Sequence, residues 1–238
     1  MSVNVNTVYQ RVLAITNKEQ RGYITPQEFN YMANQAQLDI FEQYFYDLNQ
    51  FARIPGNSTE YSDMVNILEE KISLFERTGF ILTSDVSGTS LPTDYYRIGS
   101  IMYNGIEAEH VSVKDFAYIK KSPLSQPSAD FPIYTRGAYG STINHKIKVF
   151  VGDLNNHVTT GITCNYVRKP DDVVWGYDTA TGLYNSSPTA SKNFELHESE
   201  ETELVVKILA MAGILLKDPN LYQVGSAEDT KNVQQEKA

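Results

Sequence analysis

Cysteine and tryptophan each occur once in the 238 residues, at Cys164 and Trp175, histidine occurs four times, and 20 basic side chains stand against 29 acidic ones. A single cysteine closes no internal disulfide, and four scattered histidines form no Cys/His pattern for zinc, so the chain must hold itself together by packing. Cysteine use this sparse fits assembly in a reducing cytoplasm. No run approaches the ~18–20 apolar residues that span a bilayer, and Met1-Ser2-Val3-Asn4-Val5-Asn6 lacks the basic and apolar regions of a signal peptide, so neither a membrane role nor secretion is expected. Asn57-Ser58-Thr59 and Asn185-Ser186-Ser187 match the glycosylation pattern but then read as polar loops. The formal net charge of −9 argues against a DNA-gripping surface, which relies on Lys and Arg, and leaves only sliding contact.

What is present is enough for a core: 41% of the residues are hydrophobic, and chains of ~150–300 residues bury about 70–75% of their unfolded surface. Thr7-Val8-Tyr9-Gln10 reads as a capping box opening a helix to about Asn17, with Val8, Val12 and Ile15 at helical spacing. After a polar turn through Gly22, Thr25-Pro26-Gln27-Glu28 combines an N-cap, a proline at N1 and a capping Glu. The helix it starts carries Phe29, Ala33, Ala36, Ile40 and Tyr44 to about Asn49, and Pro55-Gly56-Asn57 stops it. A third helix is predicted from Glu60 to Glu76 on Tyr61, Met64, Leu68, Ile72 and Phe75, with Gly79 as its C-terminal cap.

From Phe80 to about Lys169 the apolar period falls from 3.6 to 2, which predicts an antiparallel β module, a compact barrel or sandwich. Asn104-Gly105 is the preferred two-residue hairpin turn, Ser112-Val113-Lys114-Asp115 caps a short helix, and Pro123, Pro127 and Pro132 impose a loop. Ile147, Val149 and Val151, then Ile162, Cys164 and Tyr166, alternate toward a core. A last helix is predicted from Ser199 to Lys217, ended by Asp218-Pro219, with acidic residues in its first turns. The fold expected is α+β: a helical bundle from 1–78 and 195–220, with an inserted, mostly antiparallel β module at 79–194. That module ends in a long loop at 170–192, and residues 221–238 form a flexible or partner-docked tail.

No motif points to catalysis. A P-loop is missing, and Gly137-Ala138-Tyr139-Gly140-Ser141 departs from a nucleophile elbow. Cys164 alternates with polar residues on a predicted strand, as a structural cysteine does. His197 beside Glu198 and Glu201 has no second histidine at helical spacing, and the glutamates are accounted for by helix capping. Asp171-Asp172 reads as a turn. No catalytic residue, cofactor or metal site is therefore assigned, and the chain is expected not to be an enzyme.

The unusual feature is aromatic content, 16 Tyr and 10 Phe. Neighbouring helical residues lie about 100° apart, so Tyr44, Phe45, Tyr46 and Phe51 cannot all face one core. Tyr44, Tyr46 and Phe51 are accordingly candidate interface residues, as are Trp175, Tyr177 and Tyr184 in the long loop and Leu221 and Tyr222 in the tail.

Three strings carry a resemblance: Asn17-Lys18-Glu19-Gln20-Arg21-Gly22-Tyr23-Ile24-Thr25-Pro26 followed by Glu28-Phe29-Asn30; Leu91-Pro92-Thr93-Asp94-Tyr95-Tyr96-Arg97; and Asn193-Phe194-Glu195-Leu196-His197 leading into Glu203-Leu204-Val205 and Ala212-Gly213. They resemble the head-to-tail connector, or adaptor, ring proteins of crAss-like and other short-tailed bacteriophages, the group of tail tubular protein A. The resemblance implies a structural virion protein in the phage neck, made in the bacterial cytoplasm. It would form a homo-oligomeric ring, usually a dodecamer, under the portal protein, carry the adjacent tail or ring proteins and touch genomic DNA transiently in the exit channel. Twelve copies at −9 carry about −108, which lets DNA slide without sticking. A host-binding or decoration protein is an alternative, although no repeat or trimerising segment is visible. A virion-borne cell-wall hydrolase would need an acid/base pair in a pocket.

Overall fold

The structure, a computed structural model, describes residues 2–16, 24–51, 59–85, 87–138, 145–178, 180–187, 189–216 and 219–236. It is α+β, with an antiparallel-rich β unit inserted in sequence between the two parts of a helical unit. The helical unit comprises Met1–Leu74 and Pro170–Ala238, and the β unit Phe75–Lys169. The segment 170–194 therefore belongs with the helices and not with the β module, a correction to the expected boundary that the packing of Trp175 explains below. Asn17, Gly22, Pro55-Gly56-Asn57, Tyr139-Gly140-Ser141 and Asp218 lie outside the described residues.

In the helical unit, α1 (Val5–Thr16) begins earlier than expected, because Asn4 and not Thr7 is its cap. Asn4 Oδ1 accepts from the backbone N–H groups of Asn6 and Thr7 at 2.8 and 3.2 Å. Val5, Val8, Tyr9, Val12 and Thr16 are buried, whereas Ile15 points outward. Helix α2 (Pro26–Phe51) starts at the expected box: Glu28 Oε2 accepts from Thr25 N at 2.8 Å and from Thr25 Oγ1 at 2.7 Å. Its stripe from Phe29 through Ala33, Ala36, Ile40 and Phe41 is buried. Helix α3 (Thr59–Ser73) buries Leu68 and Ile72.

Chain segment 170–197 is a strap laid along α2. Three amide side chains at Asn30, Asn34 and Gln37, spaced along one helix face, bond its backbone as a neighbouring strand would. Asn34 Oδ1 accepts from Val173 N at 2.6 Å while its Nδ2 donates to Val173 O at 3.1 Å. Asn30 does the same with Trp175, accepting from its N–H at 2.8 Å and donating to its carbonyl at 3.4 Å. Gln37 donates to Asp171 O at 2.8 Å and accepts from Glu195 N at 3.0 Å, joining the outgoing and returning arms. Further along, Asn193 Oδ1 accepts from Val5 N at 3.1 Å and Ser2 bridges His197.

The chain then turns through Glu198–Glu200 into α5 (Glu201–Leu215), which buries Leu204, Val205, Ile208, Leu209 and Ala212 against α1 and α2, while Leu215 is exposed. Buried Glu200 is neutralised by Lys71 at 2.6 Å. The expected flexible or partner-docked tail at 221–238 is instead corrected to a helix: α6 (Pro219–Glu236) starts on its proline and packs on α5 of its own chain. A Cβ on Gly225 would lie 2.9 Å from Ala210 Cα, so the glycine sets the close approach. Lys207 spans the pair, 2.9 Å from Asp229 and 3.5 Å from Glu203.

The β unit is a sandwich. Its first sheet has the order β1 (Glu76–Ile81), β9 (Ile162–Arg168), β4 (Tyr95–Tyr103), β5 (Ile106–Glu107) and is antiparallel throughout. The second runs β2 (Ser84–Asp85), β3 (Gly88–Ser90), β8 (His145–Phe150), β7 (Ile133–Ala138), β6 (Glu109–His110), with only β6 and β7 parallel. Ile101, Ile162, Cys164 and Tyr166 from the first sheet share one core with Tyr134, Ile147 and Val149 from the second. Asn104 and Gly105, at φ 48 and 86°, form the β4–β5 turn as expected. Helix α4 (Val113–Ile119), capped by Ser112, lays Phe116 and Ile119 on Phe150 and Ile133, so β7 and β8 are covered on both faces. Gly79 is not a helix cap: it sits inside β1 at φ 67°, at a register shift between Arg77 and Phe80.

Candidate functional site

The aromatic residues expected at an interface divide by burial. Tyr44 and Trp175 are 4% and 7% exposed and are withdrawn as interface positions. Tyr44 is inside because the buried stripe of α2 is wide enough to include it and Phe45, and its ring lies under Lys71 Nζ at 5.3 Å. Trp175 is held by its own chain: Nε1 donates to Asn6 Oδ1 at 3.1 Å and the indole packs on Tyr9 at 4.3 Å between centroids. Tyr177 and Tyr184 stack beside it at 6.0 and 5.7 Å, Tyr177 half exposed and Tyr184 partly covered. The loop thus uses its aromatics chiefly to dock on α1. Tyr46 at 63% and Tyr222 at 45% remain on the surface. The side chains of Phe51 and Leu221 lie outside the described residues.

Cys164 lies at the centre of the sandwich, and burial together with Asp94 pushes its thiol up to about 11. That is the setting of a structural cysteine and not of a thiolate nucleophile. His197 acts as a cap, its Nδ1 accepting from Ser199 N at 3.2 Å. Among the described residues no group of three or more His, Cys, Asp or Glu side chains is placed to hold a metal ion, and no described helix is long and apolar enough to cross a membrane.

The described residues of the β unit form a cleft of about 690 Å³ at one end of the sandwich. Sequence reasoning missed it, because it depends on a strand irregularity. Tyr95 pairs with Arg168 and Arg97 with Val167, so β4 holds one residue more than β9 at this point. Such a bulge breaks the alternation of a regular strand. Four consecutive residues, Tyr95, Tyr96, Arg97 and Ile98, consequently all line the cleft, opposite Arg136, His145 and Lys146 from β7 and β8. Leu91, Ile98 and Ile147 supply its apolar surface.

The described lining residues include three cationic side chains and no carboxylate. Lys146 is only 8% exposed and is committed to Asp85 at 2.6 Å and to Ser87 Oγ. Its hydrogen bond, with further bonds from Ser87, holds the Asp85 carboxyl well below the usual carboxylate range. Arg136 is fixed at the rim by donating to Tyr134 Oη at 3.0 Å, and Arg97 is exposed beside it on the bulged strand. The arrangement suits an anion carried on an apolar stem: guanidinium forks match carboxylate or phosphate geometry, and the neighbouring aliphatic and tyrosine surface takes the stem.

Two surface features accompany the cleft. The segment after β6 exposes Val113, Tyr118, Leu124 and Phe131 at 60, 63, 99 and 77%. Charge is also segregated: the β unit has ten basic and eight acidic residues, net +2, and the helical unit ten basic and twenty-one acidic, net −11. The chain matches no protein-family model, and no curated protein matches it.

Proposed function

We propose that the chain is a structural subunit of a bacteriophage head-to-tail connector, forming a homo-oligomeric ring that joins the portal to the tail and surrounds the genome-exit channel. The observation that carries this reading is the use made of the three strings that resemble the adaptor group. Ile24-Thr25-Pro26 followed by Glu28-Phe29-Asn30 starts α2 and supplies Asn30 to the strap, Leu91 to Arg97 leads into the bulged strand of the cleft, and Asn193 to His197 closes the strap on the N-terminal segment. The described parts of all three are architectural, as a scaffold subunit requires. The unequal charge of the two units adds support, since opposite charge on two parts of one subunit suits contacts between copies.

A virion neck location and contact with portal, tail proteins and DNA follow as parts of the same reading. Electron microscopy of the purified protein, alone and mixed with portal, tests it. Closed rings that stack coaxially on the portal are the expected result. Monomers that ignore the portal, or release of soluble fragments from purified peptidoglycan, would overturn it.

A further inference from the structure

We infer that the basic cleft of the β unit is one half of a head-to-tail contact between copies, and that it seats the acidic outer face of α3 of a second copy. The inference rests on the assembling-subunit reading and names the surfaces that assembly would use.

The cleft combines two rim guanidiniums, Arg97 and Arg136, with an apolar interior. Its occupant must therefore bring carboxylates and aliphatic groups together. The apolar interior favours an acidic protein surface over nucleic acid, because a phosphate backbone brings no aliphatic side chains to fill it. The chain's own helical unit, at −11, holds the complementary charge. Within it, the outer face of α3 has the required pattern. Exposed Glu70 stands at the middle of that face, with Ile67, 46% exposed, and Leu74, 49% exposed and just past the helix end, on one flank and the exposed carboxylate of Glu69 on the other.

The geometry of pairing follows from charge. Two copies meeting through the same patch would set arginine against arginine or glutamate against glutamate, which costs free energy. Cleft against α3 is attractive, and such a heterologous contact generates a ring when its rotation closes. Each copy then offers one cleft and one acidic helix, so the contact repeats around the ring.

A charge swap on the full-length chain tests this. Arg97→Glu with Arg136→Glu makes the cleft acidic, and Glu69→Arg with Glu70→Arg makes the helix face basic. All four positions are exposed, so folding should survive, and circular dichroism melting checks it. Each double variant alone should require about tenfold or more higher concentration to self-associate in sedimentation velocity. An equimolar mixture should recover assembly, because acidic helices then face basic clefts and basic helices face acidic clefts in alternation. The inference is overturned if the native chain stays monomeric at every concentration, if either variant assembles as the native chain does, or if the mixture fails to recover. It is overturned equally if Arg97→Glu with Arg136→Glu abolishes binding of a labelled DNA duplex and leaves self-association unchanged. Rings seen under the portal without charge-swap rescue would sink this inference alone. Charge-swap rescue by a protein that ignores portal would sink only the connector reading.

Discussion

Asn165 Oδ1 accepts a hydrogen bond from the backbone N–H of Gly79 at 2.8 Å, across the boundary between the central strand β9 and the edge strand β1. Its Nδ2 donates at 2.8 Å to Ser100 Oγ on the other neighbour, β4. Both neighbours slip register beside it: Arg77 to Phe80 and Ile98 to Ile101 each span Tyr166 to Cys164. One side chain therefore pins two bulges, and Gly99 makes room, since a Cβ there would lie 3.0 Å from Asn165 O.

Replacing Asn165 by Ala should lower stability by about 1–2 kcal/mol, the range for losing two hydrogen bonds that water only partly replaces. Asn165→Asp keeps the acceptor for Gly79, and the Ser100 hydroxyl can turn to donate to its second carboxylate oxygen, so it should lie nearer the native chain than the alanine variant does. Urea midpoints at neutral pH measure both. Three coincident curves would show that the bulges hold without Asn165.

Asn34 holds both backbone groups of Val173, which is fully buried. Asn34→Ala strands them and should cost about 1–3 kcal/mol. Because Trp175 is the sole tryptophan and sits two residues along the strap, its fluorescence reports directly on docking. A red shift and faster amide exchange at Trp175 are expected, and an unchanged spectrum would refute the amide ladder as the strap's anchor.

Helix α6 packs on α5 through Gly225, where the nearest atom to an added Cβ is backbone and cannot give way cheaply. Gly225→Leu should push the helices apart and destabilise the chain by about 1–3 kcal/mol, as overpacking does. Removing residues 219–238 should also lower the thermal midpoint, because it uncovers a face of α5 and deprives Lys207 of Asp229. A truncated chain as stable as the full one would restore the view that this segment serves only a partner.

The Lys146–Asp85 pair predicts acid sensitivity of a defined sign. The folded-state carboxyl of Asp85 is depressed by its bonds from Lys146 and Ser87, so its contribution is whole above the unfolded-state value near ~4 and fades as the pH falls below it. Asp85→Asn should remove that part of the decline. Thermal midpoints of both proteins between neutral and acid pH make the comparison, and parallel profiles would count against the pair.

Local chemistry in the amino-acid sequence was sufficient for the start of α2, the Asn104-Gly105 turn, the capped α4 and the alternating strands β8 and β9, because each depends on residues within a few positions of one another. The α+β order with an inserted β unit was legible for the same reason: the apolar period changes from 3.6 to 2 and back. Tertiary structure alone decided where Trp175 goes, since its partners Tyr9, Asn6 and Asn30 lie some 145 to 169 residues away along the chain. It also decided that the polar segment after Pro219 is a helix, because the stabilising surface belongs to α5 and is invisible in a segment with no stripe of its own. The cleft falls in the same class: the bulge that turns Tyr95, Tyr96, Arg97 and Ile98 to one site exists only through pairing with β9, and register between strands some 70 residues apart is set by the packed sheet.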